Sequence, residues 1–141
     1  MEELERFVEA QREIYPRALG ELIAGHKTNH WMWFVFPQIA GLGHSAMTVR
    51  YAIRDAGEAR AYLDHPILGA RLREAAEAML AHAGTRSAEA ILGGIDAVKF
   101  RSSMTLFEAA ADGEAKALFA NCLAAFYSGV RDAKTARRLT G

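Results

Sequence analysis

Cysteine is nearly absent from this chain: Cys122 is the only one in 141 residues. A lone thiol excludes an internal disulfide framework and leaves no thiol set for a structural zinc site. Net charge is absent as well, because 17 basic residues meet 17 acidic ones. A neutral protein has no global field to collect nucleic acid or an anionic membrane, so any recognition of anions must be local. No apolar run approaches the roughly 18 residues of a membrane span. The opening Met1-Glu2-Glu3-Leu4-Glu5 is acidic where a signal peptide would be basic, and the cytoplasm is the expected compartment. Internal repeats, low-complexity tracts and linkers are also missing, so one domain over 1–141 is expected.

Apolar residues make up 51% of the chain and charged residues 24%, a balance that places it among folded rather than disordered proteins. At this length a protein buries roughly two-thirds of the surface of its unfolded chain, enough for a core without staples.

Helical spacing dominates the chain. Leu4, Phe7, Val8 and Gln11 predict a first helix over about residues 2–14, with acids in its first turn where the dipole favours them. Pro16 is suited to open a second helix carrying Ala18, Leu19, Leu22 and Ile23, which Gly25 ends. Asp55 followed by Glu58 resembles a capping box for a helix over 56–64. From Pro66, the residues Ile67, Leu68, Leu72, Ala75, Ala76, Met79 and Leu80 trace a helix ending near Gly84. Ser87 caps a short helix closed by Gly93-Gly94, and Asp96 is read as the cap of the next, which runs to about Ala111. Asp112-Gly113 begins a helix through Phe126, and Asp132 opens a final basic turn over 133–139.

Between residues 26 and 55 the pattern is less decisive. Trp31 to Phe36 is six apolar residues without a period; aromatics and Val favour a strand, with Thr48 to Ile53 as the sole plausible partner, while a short buried helix is the competing reading. Pro37 to Ser45, with Gly41 and Gly43, reads as a tight loop.

Two clusters carry candidate chemistry. Lys27, Asn29, His30 and Gln38 flank an aromatic block whose Trp31 and Trp33 can stack on a flat ring. They bring a cation, two amides and an imidazole, and His30 is the candidate acid or base. Against this stands the plain reading that the aromatics fill the core and Asn29 caps the element after it. The second cluster is Lys99, Arg101, Ser102, Ser103 and Thr105 at a helix opening. Cations are disfavoured at that positive end unless an anion or carboxylate sits among them, so a phosphate or carboxylate ligand would resolve the conflict; surface ion pairs would do so as well. Lys99, Ser102 and Ser103 share a helical face, but nothing in the sequence signals the activated lysine that a Ser–Lys nucleophile pair requires. His26 and His30 have metal-ligand spacing but no third ligand nearby, and Gly25 separates their segment from the preceding helix, so no metal or other cofactor is expected. Arg131, Lys134, Arg137 and Arg138 read as a solvated basic face, short of the charge density that nucleic acid wants.

The blocks His30-Trp31-Met32-Trp33-Phe34-Val35-Phe36-Pro37-Gln38, Gly41-Leu42-Gly43-His44-Ser45, Tyr62 to Gly69 with Arg71-Leu72, and Lys99 to Phe107 resemble, in order, those of an uncharacterised bacterial domain-of-unknown-function family. Members of that family are sometimes mislabelled calpastatin, a label unsupported here because calpastatin-type inhibitors resemble disordered, Pro-rich chains. The resemblance implies an all-helical single domain and selects the helix for 31–36; it implies no activity. The expectation is an all-α bundle of about six to eight helices around a buried aromatic helix, with residues 26–30 meeting 99–105 at a cleft. An anionic, nucleotide-like small molecule is the expected partner, in a binding or an enzymatic site. The rival expectation is a non-enzymatic interaction or self-association module, and the oligomeric state is left open.

Overall fold

A computed structural model describes residues 2–140 and contains, among them, nine helices and no strand. The fold is all-α, as expected. Helix α1 (Glu2–Ala24) packs on α5 (Leu68–Leu80) and on α2 (Met32–Val35); α4 (Ala56–Asp64) packs on α5 and on α7 (Gly94–Ala110). Helix α7 is the hub. It touches α4, α6 (Ala88–Leu92), α8 (Gly113–Tyr127) and α9 (Ala133–Thr140). Its buried set, Ala97, Phe100, Ser102, Ser103, Met104, Thr105, Leu106 and Phe107, covers most of its circumference, which is how a helix at the centre of a bundle reads.

Residues 2–24 form one helix, not two, with Pro16 inside it. Proline cannot donate the helical hydrogen bond to the Arg12 carbonyl, at a cost of up to about 3 kcal/mol. The stripe Leu4, Phe7, Gln11, Tyr15, Ala18 and Leu22 is buried without interruption across that point, and each large apolar member contributes about 1.5–3 kcal/mol by leaving water. Continuity of the stripe therefore wins, and Pro16 and Arg12 both lie on the exposed face.

The aromatic block is the single helical turn α2, with Met32, Phe34 and Val35 buried. The strand reading fails because the first half of its partner segment, Thr48 to Arg50, is also helical: α3 (Ala46–Arg50) is capped by Ser45, whose hydroxyl accepts from the Thr48 N–H at 3.1 Å. One parallel bridge, Ile39 to Ile53, is what remains of strand pairing. Its bonds, Ala40 N–H to Ile53 O and Ile53 N–H to Gln38 O, both 2.8 Å, tie the glycine loop to the chain after α3.

Helix α7 is capped by Gly93, not by Asp96. Gly93 stands at φ +90°, which a glycine adopts without strain, so the helix starts two residues before the expected cap and Asp96 falls in its first turn. Its carboxylate is thereby released for another use.

Candidate functional site

The loop after α1 is organised by one carboxylate. Glu21 accepts hydrogen bonds from the Thr28 N–H (2.8 Å), the Asn29 N–H (3.1 Å), the Asn29 side-chain amide (2.5 Å) and the Trp31 indole N–H (2.9 Å). Burial pushes its pKa up, but these donors more than offset that and hold it at about 2. Asn29 and Trp31 are thus occupied in fixing the loop. Trp31 is 0% exposed and lies against Phe36, which meets Phe100 of α7 edge-on at 4.8 Å between ring centroids.

The released carboxylate of Asp96 joins the two sequence clusters. Lys27 Nζ stands 2.8 Å from Asp96 Oδ2 and Lys99 Nζ 3.6 Å from Oδ1. The Lys27 ammonium also sits over the Trp31 ring at 5.1 Å, and that of Lys99 over the Trp33 ring at 5.4 Å. The carboxylate needed among cations at this helix opening is therefore part of the protein. Lys27, with its side chain 8% exposed, is committed to that pair. His30 is exposed on the turn before α2.

Arg101 turns away from Lys99. Its Nε donates to the Val130 carbonyl at 2.8 Å and its guanidinium lies over the Tyr127 ring at 5.6 Å. Ser102 donates back to the Val98 carbonyl at 3.2 Å. Ser103 is fully buried and its hydroxyl has no hydrogen-bond partner among the described residues. Thr105 donates to Arg101 O and accepts from the Asp132 N–H at 3.0 Å, which docks the start of α9 on α7.

Between the glycine loop, the first half of α7 and α9 runs an open groove made of three adjoining concavities of about 310, 470 and 490 Å³. Leu42 lines all three. Gln38, Val98 and Lys99 line the first; Gln38, Arg101, Ser102, Lys134 and Arg137 line the second; His44, Lys134, Arg137 and Arg138 line the third. A larger concavity, about 590 Å³, lies along the polar face of α1 alone, where one convex helix cannot enclose a ligand.

Of the residues expected at a site, the groove collects Gln38, Lys99, Arg101 and Ser102. Lys27, Asn29, His30, Trp31, Trp33 and Ser103 do not line it. It adds Leu42, His44, Lys134, Arg137 and Arg138. The signal for the last three was present as cations at i, i+3 and i+4 on one helical face; what the sequence does not carry is that α9 folds back beside residues 41–44. Among the described residues Arg101, Lys134 and Arg137 form no ion pair, and Asp132 is taken by the backbone and hydroxyl of Thr135 at 2.9 and 2.6 Å. Among the described residues no three metal-ligating side chains converge, and no helix is long and apolar enough to cross a membrane.

Over residues 1–139 the sequence matches the family described as "Protein of unknown function (DUF1810)". The crystal structure of a conserved hypothetical protein, Rv1873 from Mycobacterium tuberculosis, is similar to it with a TM-score of 0.92 and 46% sequence identity, covering 98% of this chain and 96% of that one. No curated protein matches it.

Proposed function

This chain belongs to the DUF1810 family, whose description records no function, and we propose that it binds an anionic small molecule in the groove between the 37–45 loop, α7 and α9. The observation that carries the reading is the convergence of Arg101, Lys134 and Arg137 on one concavity with no carboxylate among the described residues paired to any of them, Asp132 in its lining being taken by Thr135. In a protein of zero net charge such a gathering is local and specific. Cations lining one concavity repel one another, and a bound anion offsets that repulsion with charge-assisted hydrogen bonds. The 470 Å³ concavity is within the range of small-ligand sites, and its Leu42, Val98 and Val130 walls supply the apolar surface such sites share. The reading is of binding and assigns no catalytic group.

Thermal-shift titration with inorganic phosphate, pyrophosphate, citrate and nucleotides tests it. At a hundredfold excess over Kd a ligand adds about 2.7 kcal/mol to the folded state, a shift of several degrees. Lys134→Ala/Arg137→Ala should weaken binding at least tenfold while melting near the parent temperature, since both side chains are exposed. Absence of a shift with every anion, or an equal shift in the double variant, refutes the proposal.

A further inference from the structure

The groove is polar at one end and apolar at the other, and this asymmetry deepens the reading just given, on which it rests. We infer that the ligand is an organic phosphate, with its phosphate against α9 and its organic part, apolar or flat, against Leu42, Ile95 and Val98 at the start of α7.

The α9 end fits a dianion. Lys134, Arg137, Arg138 and His44 surround it, and among the described residues no carboxylate lines its walls. Three full positive charges exceed what one carboxylate neutralises, whereas a phosphomonoester brings a charge near −2 and three acceptor oxygens. Arg138 is held in place by the glycine loop. Gly41 has φ +96°, and a Cβ there would stand 2.1 Å from Arg138 Nη2, which donates to the Gly41 carbonyl at 3.3 Å. Only a residue without a side chain leaves the guanidinium that position.

The α7 end fits an uncharged group. Ile95 and Val98 are 77% and 62% exposed, two large aliphatic side chains three residues apart and left in water. Together with Leu42 they wall the 310 Å³ concavity. Lys99 also lines it, but its ammonium is drawn to Asp96 and Trp33, so what it offers the concavity is its methylene stem. Gln38 lies where this end meets the next and makes no side-chain hydrogen bond among the described residues. Its amide is left with both a donor and an acceptor for the ligand. Leu42, common to all three concavities, makes the two ends one site.

Calorimetric titration of the whole chain with inorganic phosphate, hexyl phosphate, phenyl phosphate, adenosine monophosphate and hexanoate separates the two ideas. The expected result is that at least one organic phosphate binds tenfold or more tightly than inorganic phosphate, and that this ratio collapses toward one in Ile95→Ser/Val98→Ser. Arg138→Ala and Gly41→Ala should each weaken the phosphate compounds, and the pair should be far from additive, because both remove the same guanidinium. If phosphate binds and no organic group improves it, or if the gain survives the double serine variant, the bipartite ligand is overturned while anion binding stands. Hexanoate binding as tightly as hexyl phosphate overturns the dianion assignment. No binding by any phosphate overturns both.

Discussion

Replacing Glu21 by alanine removes an acceptor that four donors share. The Thr28 and Asn29 groups lie at the surface of a turn and regain water. The Trp31 indole N–H belongs to a fully buried residue and stays unpaired, at a cost of about 1–3 kcal/mol. Depression of the Glu21 carboxyl from 4.5 to about 2 corresponds to about 3 kcal/mol if unscreened, and to about 1–2 kcal/mol for a carboxylate as open to solvent as this one. The two figures overlap, since the Trp31 hydrogen bond enters both, and the expected destabilisation is about 2–3 kcal/mol, a fall of roughly 10 °C in melting temperature for a chain of this size. The same carboxylate makes stability depend on pH with a definite sign. Because its folded pKa is depressed, its contribution is complete above the ordinary value near 4.5 and is lost as pH falls toward 2. Urea unfolding of the parent and of Glu21→Gln between pH 7 and pH 3 measures this as a difference, in which the other carboxylates cancel. The gap should be constant above about pH 5 and narrow below it. A Glu21→Ala protein as stable as the parent at pH 7, or a gap unchanged at pH 3, would refute the assignment.

Two further substitutions test the packing. At Gly69 an added Cβ would stand 2.0 Å from the Leu63 carbonyl oxygen, a backbone atom at the α4–α5 corner. Gly69→Ala should therefore cost about 3 kcal/mol by urea unfolding, despite the better helix propensity of alanine; an unchanged midpoint would show that the corner is not tightly set. Pro16→Ala should stabilise by about 1–2 kcal/mol, restoring the hydrogen bond to Arg12 O against a smaller gain in unfolded-chain entropy, and a lower melting temperature would mean that α1 uses its proline.

Elements with local signals at both ends were legible in the sequence. Helix α4 lies over 56–64 as expected, because Asp55 Oδ1 accepts from the Glu58 N–H at 2.8 Å and the His65-Pro66 pair stops the helix. Ser87 caps α6 for the same reason. Pro16 and Asp96 misled because each has a proper local role that tertiary structure overrode: a continuous buried stripe carries α1 through the proline, and a left-handed Gly93 starts α7 early. The candidate site was half legible. Lys99, Arg101 and Ser102 stood out by density, and Asp96 lies one helical turn before Lys99, but the approach of Lys27 to that carboxylate and the return of α9 to the glycine loop are long-range facts with no local sequence mark.

The contact of Arg138 with Gly41 spans 97 positions of sequence. During synthesis residues 37–45 and the whole of α7, Arg101 included, are made before Lys134, Arg137 and Arg138, so the growing chain has the apolar walls but only part of the proposed anion site. A ligand of the proposed site would find its full set of cations only once residue 138 has been translated and α9 has folded back. Binding in the proposed groove would then report that α9 is in place, and removing α9 would abolish it while leaving the core of Phe7, Trp31, Tyr62, Phe100 and Phe107 intact.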